Sequence, residues 1–242
     1  MAHFYLSDEV ANTSVGQTVV VTGTEARHAI TVGRLAVGEQ LRVGDGQGFI
    51  ADGQVTAVGR DTFDLHVTST QVEESPRQKV WLAQALAKGD RDELAIQAAT
   101  ELGVDGVIPW AATRSIVKWE GAKVAKHQKR WASIVREATK QSVRSRIPLL
   151  RPLCSSAELA ALGQKFHLVV LDPSASISLS SLASDGRDIV LVVGPEGGIA
   201  PAELTRFVEA GASRVALGSG ILRTSTAGPA AIAVLNVSLG RW

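Results

Sequence analysis

The apolar positions of this chain follow two different patterns. Through residue 72 they come as short runs of extended type between glycine turns. The runs are Thr18-Val19-Val20-Val21, Gln40-Leu41-Arg42-Val43, Gly48-Phe49-Ile50-Ala51, Gln54-Val55-Thr56-Ala57-Val58 and Phe63-Asp64-Leu65-His66-Val67. Their length and spacing predict a small β-barrel over residues 1–72, with one short helix around Ala26-Arg27-His28-Ala29-Ile30. Gly44-Asp45-Gly46-Gln47-Gly48 is rich enough in glycine to suggest a phosphate loop, but it separates two predicted strands, which favours a hairpin. Glu73-Glu74-Ser75-Pro76-Arg77 is polar, contains a proline and has no period, so residues 73–77 read as a linker.

From residue 78 to 242 strand and helix patterns alternate. Val80 to Leu86 is a predicted strand. Asp90-x-x-Glu93 opens a helix in the manner of a capping box, and Gly103 closes it. Gly106-Val107-Ile108-Pro109-Trp110 is the next strand. Residues 122–146 predict a long helix, with Val124, Trp131, Ile134, Val135 and Ala138 on one face and Pro148 as its stop. Ser155-x-x-Glu158 caps a helix that ends at Gly163, and Phe166 to Asp172 forms a strand. Ile189-Val190-Leu191-Val192-Val193 is apolar throughout, the mark of a parallel strand buried on both faces. The alternation predicts an α/β domain with a mainly parallel, doubly covered sheet.

Two glycine turns follow strands near the end of this domain. Gly194-Pro195-Glu196-Gly197-Gly198 comes after the apolar run and before Pro201-Ala202-Glu203-Leu204, a good helix opening. Some twenty residues on, Val215-Ala216-Leu217 leads into Gly218-Ser219-Gly220, then Ile221-Leu222-Arg223-Thr224 and an alanine-rich helix. The carboxyl ends of strands in such sheets are where ligands bind. Neither turn has the GxxxxGK[ST] or GxGxxG spacing of a phosphate loop.

Composition narrows the reading further. The chain has 242 residues, 45% of them hydrophobic and 20% charged, ample for a packed core. Its one cysteine, Cys154, cannot form an internal disulfide, which favours a reducing compartment. The opening residues lack a basic start with a long apolar core, so no signal peptide is expected. No apolar run is long enough to span a membrane. A cytoplasmic protein is expected. The histidines at 3, 28, 66, 127 and 167 show no triad or metal spacing, and no metal is expected.

Net charge is only +1, but it is unevenly spread. Residues 1–75 hold ten acids against four Lys/Arg, whereas residues 123–151 hold nine Lys/Arg and one acid, Glu137. The basic stretch is either a solvated helix face or a phosphate-contacting surface, and its one-sidedness favours the second.

The glycine turns and the residues around them resemble the SPOUT methyltransferases. Val193-Gly194-Pro195-Glu196-Gly197-Gly198, followed by Leu217-Gly218-x-x-Ile221-Leu222-Arg223-Thr224-x-Thr226-Ala227, is similar to the RsmE family, whose members methylate N3 of a uridine in small-subunit (16S) ribosomal RNA. Lys88-Gly89-Asp90-Arg91, Glu101-Leu102-Gly103, Arg114-Ser115, Arg136-Glu137-Ala138, Gln141, Arg144 and Ile147-Pro148 extend the likeness over nearly the whole chain. The resemblance implies a PUA-like RNA-binding barrel at the N-terminus and a SPOUT methyltransferase domain after it. It implies a trefoil knot near the C-terminus, a homodimer, S-adenosylmethionine as cofactor, and small-subunit ribosomal RNA, within a ribosomal particle, as partner.

That resemblance assigns roles to particular residues. Gly194, Glu196, Gly197, Gly198 and Gly218 would surround the cofactor, glycine allowing the backbone to approach an adenine closely. Leu171, Leu217, Ile221 and Leu222 would form its apolar walls. A sulfonium ligand has no need of a lysine-rich cradle. Arg223 is placed to stabilise the anion that develops over N3, O2 and O4 of the uracil, with Arg114 and Arg144 as rivals. Glu196 either accepts a proton or holds a loop N–H, the second being the structural role. Lys88, Arg136, Lys140, Arg144 and Arg146 are the expected RNA contacts.

Three features depart from the family pattern: the acidic N-terminal barrel, His3 where members often carry arginine, and Gly228-Pro229 early in the last helix. Pro229 requires a helix start near Thr226 or a kink. Two alternatives stand beside the leading reading. A SPOUT ribose 2′-O-methyltransferase would carry Ser-Leu-Asn-Val-Ser at the knot, and Leu235-Asn236-Val237-Ser238 lies too late for that. A non-catalytic RNA-binding or ribosome-assembly factor is the other.

Overall fold

The computed structural model describes residues 4–242, and His3 lies outside the described residues. The chain divides into two compact units. One comprises residues up to Ser75 together with Thr139–Ile147, the other Pro76–Ala138 with Pro148–Trp242.

The first unit is built on β1 (Phe4–Leu6), β2 (Thr18–Val21), α1 (Gly23–Thr31), β3 (Gln40–Gly44), β4 (Phe49–Val58) and β5 (Phe63–Val72). The strands form one sheet in the order β1-β3-β4-β5-β2. All its pairs are antiparallel except β1 with β3. Alternation works as the sequence indicates: Val19 and Val21 point into the core while Thr18 and Val20 face solvent. Val21, Leu41, Val43, Val55, Phe63 and Leu65 make that core. The two runs read as separate strands, 48–51 and 54–58, are one strand with irregularities at Asp52/Gly53 and Val55/Ala57. Glycine is needed at that first break, because a Cβ on Gly53 would lie 2.4 Å from the His66 carbonyl oxygen.

The turn at 44–48 is a hairpin between β3 and β4. Asp45 closes it by accepting the N–H groups of Gln47 (2.6 Å) and Phe49 (3.0 Å). A carboxylate occupies those donors, leaving the turn unsuited to phosphate.

The second unit carries β6 (Val80–Ala85), α2 (Arg91–Glu101), β7 (Gly106–Ala111), α3 (Ala122–Gln141, whose last three residues fall in the first unit), β8 (Leu149–Leu150) and β9 (Cys154–Ser155). It continues with α4 (Ser156–Ala161), β10 (His167–Leu171), β11 (Ile189–Val193), α5 (Pro201–Glu209), β12 (Ser213–Val215) and α6 (Thr224–Ser238). The sheet runs β12-β10-β11-β6-β7-β8, with β9 also on β7, and every pairing is parallel. All residues of β6 and β11 are buried, as expected of strands covered on both faces. On one face Leu159 of α4 and Phe207 of α5 pack on Trp110, Leu168, Val190 and Val192. On the other α6 comes so close that a Cβ on Gly228 would sit 3.0 Å from Leu82 Cδ1.

Three boundaries and one helix cap differ from expectation. The long helix ends at Gln141, not at residue 146: Val143 adopts φ +54 and the Arg144 N–H turns back to the Thr139 carbonyl. The chain has therefore left the helix before Pro148 can stop it. Asp90 forms no capping box, because it takes a left-handed φ of +60 and its side chain makes no cap bond. Glu93 instead accepts the Arg130 guanidinium. The last strand covers Ser213–Val215, placing Leu217 beyond it. Finally, α6 starts at Thr224, which puts Pro229 inside it. Lacking an N–H, Pro229 cannot donate to the carbonyl of Ser225.

Candidate active site

A cleft of about 590 Å³ opens at the carboxyl ends of β10 and β11, within the range typical of small-molecule sites. The end of β10 contributes Leu171, Asp172 and Pro173. The first glycine turn contributes Gly194, Pro195, Glu196 and Gly198, and the start of α6 is reached through Ile221, Leu222, Arg223 and Thr224. Arg91 from the first turn of α2 completes the lining on another side. Six of the nine residues expected around the cofactor are thus brought together: Leu171, Gly194, Glu196, Gly198, Ile221 and Leu222.

Gly197, Leu217 and Gly218 do not line this cleft. Gly197 turns its carbonyl to Arg114, whose Nη1 donates to it at 3.0 Å. Gly218 sits at φ +126, a conformation that suits glycine.

Glu196 is an anchor. Arg91 Nη1 donates to its Oε1 at 2.8 Å and the Lys88 N–H at 3.0 Å. Partial burial alone would raise its pKa, but hydrogen bonds from its own N–H, from Arg91 and from Lys88 outweigh that and hold it below the usual carboxylate range. An ionised, doubly held carboxylate of low basicity is a poor proton acceptor. Asp172 is treated alike: burial pulls its pKa up, while Ser174 and Arg214 bring it below normal. Arg214 Nε donates to it at 2.7 Å. The cleft therefore carries two ionised carboxylates, each neutralised by its own arginine.

Arg223 occupies the N-cap of α6, exposed, with its carbonyl accepting the N–H groups of Thr226 and Ala227 at 2.9 Å. The positive end of a helix dipole disfavours a cation there. Helix stability gives no reason for arginine at this position.

Sequence reasoning passed over Glu203, registering it only as an early helical acid. It is 3% exposed. Its carboxylate accepts the Thr113 N–H (2.8 Å), the Ala200 N–H (3.1 Å) and the Ser156 hydroxyl, and Trp110 Nε1 donates to Ser156 at 3.1 Å. One buried carboxylate thus ties the strand end leading to Arg114 to the residue that closes the first glycine turn. Burial raises its pKa, but those three donors more than reverse the effect. A folded-state pKa below the unfolded one means that ionised Glu203 adds stability above the ordinary carboxylate range and loses it as pH falls through that range. Glu203→Gln should cost about 2 kcal/mol at neutral pH. Calorimetric unfolding should also show a smaller loss of stability from about pH 5 to about pH 3 than in the wild type.

The expected RNA contacts differ in exposure and in their partners. Lys88 is exposed beside the cleft. Arg136 and Arg144 are half-buried. Lys140 and the half-buried Arg146 are tied within the first unit. The Lys140 side chain is 9% exposed and pairs with Glu25 at 3.3 Å. Arg146 donates to the Glu73 carbonyl and fills the space beside Gly48. Lys118, Lys123, Lys126 and Lys129 are exposed bases of this region, as is Arg130, which pairs with Glu93. The structure also places His167 Nε2 2.8 Å from the Ser213 hydroxyl, with Asp185 3.7 Å from Nδ1. This arrangement lies at the amino end of β10, away from the cleft, where Arg187 already holds Asp185.

Asn236, part of the alternative motif, lies in the body of α6 and donates to the Leu102 carbonyl at 2.6 Å. It serves as a packing tie rather than a cleft residue.

Fold and cleft together define an RNA methyltransferase with an N-terminal PUA domain. Residues 73–236 match the family model for an RNA methyltransferase domain, and residues 21–68 match that for an RNA methyltransferase PUA domain. The ribosomal RNA small subunit methyltransferase E of Mycobacterium tuberculosis is 40% identical, with 94% of this chain and 89% of that protein covered. The protein of the same name from Bacillus subtilis is 34% identical over 87% of this chain and 86% of its own length. A crystal structure of a ribosomal RNA small subunit methyltransferase E from Neisseria gonorrhoeae bound to S-adenosyl methionine superposes with a TM-score of 0.88 at 29% identity, covering 98% of both chains. This chain belongs to the ribosomal RNA small subunit methyltransferase E family.

Proposed function

We propose that this protein transfers the methyl group of S-adenosylmethionine to N3 of a uridine in small-subunit ribosomal RNA, within a ribosomal particle. The observation that carries the reading is the convergence of the glycine turn after β11 and the Arg223-bearing start of α6 on one cleft. The residues fit that cofactor. Apolar walls from Leu171, Ile199 and Leu222 suit an adenine, and the carboxylates of Asp172 and Glu196 suit hydroxyl and cationic groups. The cofactor, when bound, supplies an electrophilic methyl. Arg223 and the positive end of α6 face the same side, where negative charge on a uracil ring would be stabilised. With Glu196 ionised and held by Arg91, the cleft offers no obvious general base, and the N3 proton leaves to solvent.

In this reading residues 1–72 are a PUA-like recognition domain, 73–77 a linker and 78–242 a SPOUT domain whose C-terminal segment threads a trefoil knot. The protein works in the cytoplasm; among the described residues no helix is long and apolar enough to cross a membrane. It acts as a homodimer through the C-terminal domain, whose last residues leave Val237 and Trp242 exposed. Light scattering at micromolar concentration should return twice the mass of one chain.

The exposed lysines of α3 provide phosphate contacts. Reversing Lys123, Lys126 and Lys129 to glutamate should weaken RNA binding across sequences and reduce the salt slope by about 3. Cofactor affinity should stay unchanged. The reading as a whole is tested by incubating small-subunit particles with labelled S-adenosylmethionine and analysing the nucleosides by mass spectrometry. Labelled 3-methyluridine is expected; label on a ribose 2′-oxygen, or none, would overturn it.

A further inference from the structure

Gln84 is fully buried next to the last residue of β6, a place where sequence pattern alone calls for an aliphatic side chain. Its Nε2 donates to the Thr224 hydroxyl at 2.9 Å and to the Ala85 carbonyl at 3.1 Å. Thr224 in turn donates its one hydroxyl proton to the Gly194 carbonyl at 2.8 Å. Its residual exposure is 6%, and it lines the cleft as the first residue of α6. One hydroxyl thus joins three elements: the end of β6, the first residue of the glycine turn after β11, and the start of α6 directly behind Arg223.

The donor order within this chain is fixed. Both groups that face the Gln84 amide, the Ala85 carbonyl and the Thr224 oxygen whose proton is already used, are acceptors. Only the NH2 end of the amide can face them. The opposite end, Oε1, is buried with no hydrogen-bond partner among the described residues. The cost of that unpartnered acceptor offsets what the two hydrogen bonds contribute, so overall stability gives little reason for glutamine here. The remaining account is positional.

We infer that the Thr224 hydroxyl, oriented by Gln84, is the positioning element that sets the first glycine turn and the Arg223-bearing helix start at the separation the cofactor requires. Neither residue contacts the reacting atoms; both act through Gly194 and Arg223. The inference rests on the proposed cofactor reading.

Three variants test it, with S-adenosylmethionine as the titrant in calorimetry and thermal unfolding measured alongside. Thr224→Ser keeps the hydroxyl, and Thr224→Val keeps the shape without it. Gln84→Met removes both the donor and the unpartnered Oε1. Thr224→Ser should bind S-adenosylmethionine like the wild type. Thr224→Val and Gln84→Met should each bind about tenfold more weakly, while Gln84→Met unfolds at the wild-type temperature or above it. That opposition between affinity and stability is what a merely structural role would not produce. If Thr224→Val and Gln84→Met bind as tightly as Thr224→Ser, or if affinity falls only in step with the unfolding temperature, the inference is overturned. A wild-type protein that binds S-adenosylmethionine beside an unimpaired Thr224→Val removes this inference alone. A wild type that binds none removes the cofactor reading as well.

Discussion

Replacing Arg223 by alanine is expected to slow methyl transfer by about a hundredfold, the usual cost of losing a well-placed charged donor to a developing anion. Affinity for cofactor and for RNA should change far less. The side chain is exposed at the helix start, so the fold does not depend on its burial. A cation at the positive end of α6 carries an electrostatic penalty in the free protein, and that penalty is relieved only when negative charge gathers opposite it. Lysine at this position should recover part of the rate, because an ammonium cannot span two uracil oxygens in one plane. The measurement is a single-turnover rate at saturating RNA, which keeps binding separate from chemistry. If Arg223→Ala runs at the wild-type rate under those conditions, the role passes to another cation. Arg114 is held against the glycine turn by its bond to Gly197, and Arg91 by Glu196.

Gly194→Val should weaken cofactor binding by roughly tenfold to a hundredfold, the range that corresponds to the cost of overpacking a fitted site. A Cβ at this position would lie 2.8 Å from Ile199 Cγ1 and 3.3 Å from the Ile199 nitrogen. Ile199 lines the cleft, so the clash can be relieved only by moving a cofactor wall. The same shift would pull the Gly194 carbonyl from the Thr224 hydroxyl. Gly197→Val should act more weakly and by another route, since its Cβ would meet Arg114 Cβ at 3.3 Å and disturb the arginine first. Gly220→Ala is the control: its Cβ would point into open space, and binding should be unchanged. Calorimetric titration distinguishes the three, and a Gly194→Val protein with wild-type affinity would sink the placement of the cofactor.

Much of this molecule could be read from local pattern. The apolar run at 189–193 forms a strand because five consecutive buried side chains suit a sheet covered on both faces. Ser155 and Glu158 form their capping box because both partners lie within one turn. The glycine turn and the Ile221-Leu222-Arg223-Thr224 segment announced the cleft, since close backbone approach leaves its mark in residue type. Such signals act over a few residues, and the sequence determines them by itself.

Tertiary structure decided the rest, and the reason is separation along the chain. Glu203 reaches Thr113 across 90 residues, Gln84 reaches Thr224 across 140, and Lys140 reaches Glu25 across 115. No period or motif links such pairs, and each polar side chain looks ordinary in its own segment. Lys140 counted as one more base on a basic helix until the fold buried it against a carboxylate. Glu203 and Gln84 became the supports of the site only when parallel strands far apart in sequence brought their ends together, because in a buried setting each donor and acceptor must find its partner wherever the fold supplies one.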